Sequence, residues 1–158
     1  MIKNLLCAAA LATACASPAF ALSVTKSASV QAPPAKVWAV FSRFCSIGDW
    51  HPAIQTCTPS MKGGMHVRTL ALKGGGTIVE ERVSYSNQKM SYTYKILSSP
   101  LPVSHYKSTL SVAPDGSGST VTWTGTFQAK GADDAKAEDV IGGIYDAGLK
   151  GIADKAQQ

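Results

Sequence analysis

The sequence predicts an α+β fold: a curved antiparallel sheet of about seven strands packed on a long C-terminal helix, with two short helices after the first strand. Three observations carry this. Between residues 54 and 130, apolar and polar side chains alternate in runs separated by Gly, Pro, Asn and Asp, the mark of hairpin-connected strands. From Ala132 to Lys155 the period becomes helical, with Ile141, Tyr145, Leu149 and Ile152 on one stripe. Between the opening strand and the sheet, "AKVWAVFSRF" sets Val37, Trp38, Phe41 and Phe44 at helical spacing directly after a proline pair.

Taken in order, "SVTKSASVQA" (residues 23–32) has the β-branched, polar character of an opening strand. Pro33 and Pro34 stop it and open a helix, because the first helical turn loses nothing from a missing N–H. "SIGDWHP" breaks that helix, and Asp49 is placed to cap one further turn before Pro52. Strands are expected near 54–59, 66–72, 77–86, 90–98, 103–113 and 119–129. Turn residues separate them at Lys62-Gly63-Gly64, Lys73 to Gly76, Ser86-Asn87-Gln88, Ser99 to Pro102 and Pro114 to Gly118. In the last helix, Asp133 and Asp134 suit the positive N-terminal end of the helix dipole. Gly142, Gly143, Gly148 and Gly151 each weaken it by about 1 kcal/mol relative to Ala, so they serve either close packing against the sheet or room for a ligand beneath.

The N-terminus begins with Lys3 in a short basic start, continues with the apolar run "LLCAAALATACA", and ends with the small-x-small pattern Ala19-Phe20-Ala21. Residues 1–21 therefore read as a cleaved export signal, too short and Ala-rich for a membrane span, with residues 22–158 as one domain in the periplasm or outside the cell. Lipidation at Cys15 is a rival, on a poor match to the residues that precede such a cysteine.

Removing the signal takes Cys7 and Cys15 with it and leaves Cys45 and Cys57, in the stretch "FCSIGDWHPAIQTC". An oxidising compartment favours a disulfide between them over a reactive thiolate. The spacing of Cys45, His51 and Cys57 matches none of the usual zinc patterns, so no metal is expected. The formal net charge is +5, but Lys and Arg are scattered singly, which argues against nucleic acid and allows only a weak peripheral contact with anionic lipid. No nucleophile elbow, phosphate loop or cofactor motif is present, and a monomer or homodimer is expected.

The element order is that of the helix-grip fold, and the residues go further. "VQAPPAKVWAVFSRFCSIGDWHPAI", "VRTLALKGGGTIVEERV", "YTYKILSSPLPVSHYKSTLSV" and "VTWTGTF" resemble the polyketide cyclase/dehydrase and lipid-transport family, within the wider group of START domains and birch-pollen-allergen-like proteins. The resemblance implies an apolar cavity between sheet and helix that holds lipids, sterols, polyketides or hormones. Fold likeness alone does not choose among these.

Alternation then assigns the inward side chains: Ile78, Tyr92, Tyr94, Ile96, Tyr106, Leu110, Val112, Val121, Trp123 and Phe127, beneath Ile141 and Tyr145 of the helix. The hairpin around Lys73-Gly74-Gly75 sets Arg68 opposite Glu80. Across the next turn Glu80 is expected to face Tyr94, and Arg82 to face Tyr92. Charges so placed are either paired inside the cavity or, after a one-residue slip, turned to solvent. His51 either shapes the cavity mouth or is an exposed loop residue. His66 belongs to the surface, and His105 points away from the face that Tyr106 occupies.

The expected function is binding of a small hydrophobic or amphipathic molecule without a cofactor. A cofactor-free cyclase, dehydratase or isomerase using Glu80 and Tyr94 is the alternative, and a protein-interaction module the third reading.

Overall fold

The computed structural model describes residues 21–158. The expected export signal, apart from its last residue, lies outside the described residues, as do Cys7 and Cys15. The chain runs β1 (Leu22–Val30), α1 (Pro34–Phe41), α2 (Ile47–Trp50), β2 (Ile54–Lys62), β3 (Met65–Leu72), β4 (Thr77–Ser86), β5 (Ser91–Ser98), β6 (Val103–Asp115), β7 (Gly118–Ala129) and α3 (Asp134–Ala156). The strands form one antiparallel sheet in the order β1-β7-β6-β5-β4-β3-β2. Consecutive strands from β2 to β7 pair as hairpins, whereas β1 and β2 lie at opposite edges and are joined across the open side by α1 and α2. Among the described residues no helix is long and apolar enough to cross a membrane.

Local chemistry sets the helix boundaries. Pro34 stands at the first position of α1 with Pro33 extended before it. α1 buries Val37, Trp38 and Phe41 but ends at Phe41, so Phe44 reaches the core from the following turn rather than from the helical stripe. Asp49 lies inside the single turn of α2 instead of capping it, because Ser46 occupies the preceding position and turns its hydroxyl back onto the carbonyls of Val40 and Arg43. α3 has a true side-chain cap: Asp133 accepts a hydrogen bond from the Lys136 amide at 2.7 Å.

The apolar face of α3 carries Ile141, Tyr145, Leu149 and Ile152 onto the concave side of the sheet, where Val30, Val112, Val121 and Leu110 fill one end of the interior. The helix glycines resolve towards packing. A Cβ on Gly148 would lie 2.5 Å from Trp123 and 2.8 Å from the His51 ring, and one on Gly151 would overlap the Trp50 carbonyl oxygen. Gly143 faces open space. The absent side chains at Gly148 and Gly151 let the α2 segment approach the helix backbone.

Cys45 and Cys57 are joined by a disulfide with a Cα–Cα distance of 5.6 Å, tying the α1–α2 connection to β2. In the chain-entropy picture, closing so short a loop contributes about 3 kcal/mol.

Two measurements test this architecture. Gly151→Ala should lower unfolding stability by about 1–3 kcal/mol through overpacking, whereas Gly143→Ala should raise it by about 0.5–1 kcal/mol through helix propensity. Equal gains in urea titrations would show that α3 is not pressed against Trp50. Peptide mapping after denaturation should find Cys45 and Cys57 unreactive to alkylating reagent until a reductant is added. The Cys45→Ser/Cys57→Ser double variant should lose about 3 kcal/mol.

Candidate functional site

A partly enclosed cavity of about 340 Å³ lies at the other end of the interior. That is at the small end of the roughly 300–1,000 Å³ range of ligand pockets. Its wall comes from five places: Ile47, His51, Ala53 and Ile54 of the stapled segment; Leu70, Leu72, Gly74 and Gly75 of β3 and its turn; Ile78, Glu80, Tyr94 and Ile96 of β4 and β5; Leu101, Tyr106 and Trp123; and Ile141 and Ile144 of α3. The surface is almost wholly apolar, with Glu80 its one carboxylate.

Arg68 stands opposite Glu80 in the β3–β4 register. Its Nε donates to Glu80 Oε2 at 2.6 Å and its Nη1 donates to the Phe44 carbonyl. The guanidinium lies 4.0 Å from the centroid of the Phe44 ring and 5.1 Å from that of Tyr94, so the charge sits in the corner between two aromatic rings. Arg68 is 1% exposed and Glu80 5%. Burial works against the Arg68 charge, but the attraction of Glu80, joined by Tyr92 and Tyr94, prevails and raises its pKa above the ordinary arginine value.

The expected pairing across β4 and β5 needs correction. Glu80 pairs with Ile96 and Arg82 with Tyr94: irregularities lie between Val79 and Glu80 and between Arg82 and Ser84, and the latter takes back one of the three positions that the four-residue turn between Ser86 and Ser91 adds to the expected register. The offset near Glu80 is two residues, so Glu80 keeps its face and becomes a diagonal neighbour of Tyr94. Beyond the second irregularity Tyr92 pairs with Tyr85 rather than Arg82. The Arg82 guanidinium is half-buried over the Tyr85 ring at 4.8 Å, away from the cavity.

Behind the wall, one hydrogen-bond chain joins Trp123, Tyr94, Tyr106, Tyr145 and Ser108. The direction of each bond follows by elimination. Ser108 Oγ donates to the Thr124 carbonyl at 2.8 Å, so it must accept from Tyr145 at 2.9 Å. Tyr145 has then used its proton and accepts from Tyr106 at 2.6 Å; Tyr106 in turn accepts from Tyr94 at 3.3 Å. Trp123 Nε1, which can only donate, completes the chain onto Tyr94 at 3.1 Å. Burial pushes the Tyr145 phenol up to about 12. Burial first, then the nearby Glu80 charge, holds Tyr94 well above the ordinary phenol value. Burial does the same for Tyr106. At neutral pH the chain is therefore made of neutral phenols.

The residues expected to bind a ligand thus separate. Ile78, Glu80, Tyr94, Tyr106, Trp123 and Ile141 stand on the cavity wall, as does Ile96. Arg68 lies behind Glu80, and Tyr145 stacks on Trp123 at 4.6 Å with its hydroxyl turned to the sheet. Tyr92 packs with Trp38, Phe41 and Phe44; Leu110 and Phe127 belong to the filled core, and Arg82 lies over Tyr85. The separation has a physical cause: the cavity occupies the turn end of β3 and β4, while large side chains close the rest.

The sequence left His51 between cavity mouth and exposed loop, and did not single out the packing of Trp50 or the pair Ser108 and Gly125. His51 is 4% exposed and on the cavity wall: its Nε2 donates to the Ile144 carbonyl at 3.1 Å and its Nδ1 accepts from the Ala53 amide at 3.2 Å. Trp50 packs edge-on against Trp123. Ser108 and Gly125 pair across β6 and β7 as two small residues on an aromatic wall, and a Cβ on Gly125 would overlap the Tyr145 hydroxyl. Small residues at inward parity were the available signal.

Burial lowers the His51 pKa, with Arg68 adding to the effect despite the opposing bond to Ile144. The unfolded chain therefore binds this proton more readily, and the stabilising contribution is complete above the ordinary value of about 6.5. It is lost as pH falls through the lowered folded value. Melting temperatures from pH 8 downward should show His51→Gln less stable than the parent at neutral pH, with the gap narrowing on acidification. Parallel curves would show that His51 does not titrate on unfolding.

Comparison with solved structures supports the same architecture. XoxI from Bacillus cereus is 34% identical, with a TM-score of 0.80 over 86% of this chain and 96% of that one. An uncharacterised protein from Bacillus thuringiensis is 32% identical, with a TM-score of 0.80 over 87% and 100% of the two chains. The Zhui aromatase/cyclase from Streptomyces sp. R1128 shares the fold at 18% identity and a TM-score of 0.71 over 87% and 94%. Comparison with curated proteins gives no significant match. The family model described as polyketide cyclase/dehydrase and lipid transport matches residues 21–157, so the chain belongs to that family.

Proposed function

We propose that this is an exported protein that binds a small hydrophobic or amphipathic molecule, of lipid, sterol or polyketide-like character, in its internal cavity. The observation that carries the reading is the 340 Å³ apolar space partly enclosed by sheet, stapled segment and α3, with a single carboxylate on its wall. Apolar walls supply affinity through burial, and one placed polar group supplies orientation. The disulfide between Cys45 and Cys57 supports the exported part of the reading, since such bonds persist in oxidising compartments.

A second reading, a cofactor-free cyclase, dehydratase or isomerase, is favoured by Glu80 and Tyr94 standing on the same cavity wall. Against it, Glu80 is held by Arg68 and the Tyr94 proton is committed to Tyr106. A general base must reach a substrate proton, so these bonds would have to rearrange first.

Native mass spectrometry of the protein purified from the periplasm, followed by denaturing extraction, tests the proposal. A co-purified apolar molecule is the expected result. Empty protein that is also not stabilised by any hydrophobic probe would overturn it. Should turnover of an extracted molecule be seen and vanish in Glu80→Gln while binding persists, the second reading replaces the first.

A further inference from the structure

Resting on the ligand-binding reading, we propose that the cavity selects a neutral hydrogen-bond donor, an alcohol or phenol on an apolar body, and that Glu80 Oε1 is its acceptor.

The argument is an inventory of the wall. Its side-chain donors are four, and each is committed. The Tyr94 hydroxyl is given to Tyr106, the Tyr106 hydroxyl to Tyr145, Trp123 Nε1 to Tyr94, and His51 Nε2 to the Ile144 carbonyl. A ligand that brings only acceptors therefore finds no free side-chain donor. To gain one it must break a bond of the chain, and the chain is anchored at the Thr124 carbonyl, where no reversal is available.

The acceptor side differs. Glu80 Oε2 takes the Arg68 Nε proton, while Oε1 accepts no hydrogen bond among the described residues. Glu80 stands on the cavity wall and Arg68 does not, so the uncommitted oxygen belongs to the carboxylate that the ligand meets. Among the described residues Arg68 Nη2 is the only fully buried side-chain polar atom without a partner, so Oε1, which accepts no bond, keeps accessible surface and can be met by a ligand hydroxyl as donor.

Charge narrows the class. Arg68 already neutralises Glu80 at 2.6 Å, and both are almost fully buried. A ligand ammonium would leave an unbalanced positive charge at this end of an apolar cavity, and a ligand carboxylate an unbalanced negative one facing Oε1. A hydroxyl donates its proton to Oε1 and leaves the balance unchanged. An ether or ester of the same shape would place lone pair against lone pair.

Four probes of matched shape test this: 4-hexylphenol, 4-hexylanisole, 4-hexylbenzoate and 4-hexylbenzylammonium, titrated into the purified protein at pH 7.5. Calorimetry and quenching of tryptophan fluorescence, to which Trp123 on the wall contributes, read the binding. The phenol should bind about tenfold or more tightly than each of the others, the scale of a hydrogen bond to a charged acceptor. Glu80→Gln, whose amide offers donors, should bring phenol and anisole within about threefold of one another. If that variant fails to fold because Arg68 is left unpaired, Arg68→Met/Glu80→Gln carries the same expectation. Equal affinity for phenol and anisole, or preference for either ion, overturns the proposal and leaves the cavity reading standing. No binding of any probe up to its solubility removes both.

Discussion

The buried guanidinium of Arg68 is the constraint on which the site depends. From β3 it reaches Glu80 on β4, the Phe44 carbonyl in the connection after α1, and the aromatic faces of Phe44 and Tyr94. One charge thereby fixes the sheet, the crossing segment and the polar point of the cavity relative to each other. Such a pair is poor evidence of net stability, because desolvation offsets most of the attraction. Its effect is on specificity of arrangement: removing either partner leaves a charge without compensation, so alternative packings of Phe44 or β4 are penalised. Among the described residues Arg68 Nη2 has no hydrogen-bond partner.

The second organising feature is the tyrosine chain. Tyr145 enters from α3 and stacks on Trp123, and its hydroxyl fits where Ser108 and Gly125 leave a notch. Helix and sheet are therefore registered by a directional bond as well as by apolar burial. The small residues on α3 act in the same sense, since Gly148 and Gly151 let His51 and Trp50 press against the helix backbone. What remains open is the region that neither large side chain nor close backbone contact fills, between the turn after β3, the Ile47–Ile54 segment and the Ile141–Ile144 turn of α3.

Much of this was legible because local signals were strong. Alternation placed Tyr94, Tyr106 and Trp123 inward, and the Gly-rich turn set Arg68 opposite Glu80, as the register bears out. The pairing of Glu80 with Tyr94 failed at the turn: Ser86 pairs with Ser91 across four residues, three positions beyond the expected register, and the irregularity between Arg82 and Ser84 takes back only one. Parity survived there only because that irregularity leaves a net offset of two at Glu80. His51 was ambiguous for a different reason: a lone histidine in a loop carries no periodicity, and its burial is decided by α3, 93 residues away.

Fold class, element order, the inward face of each strand and the Arg68–Glu80 opposition followed from the sequence by itself, because period, turn chemistry and short loops are local properties. The tertiary structure alone decided which inward residues meet a void and which meet other side chains. Leu110, Phe127 and Ile78 share the same inward face, yet only Ile78 stands at the cavity. That distinction depends on how far α3 and the stapled segment close over each end of the sheet. Closure is set by the sum of long-range contacts, which no single stretch of sequence contains.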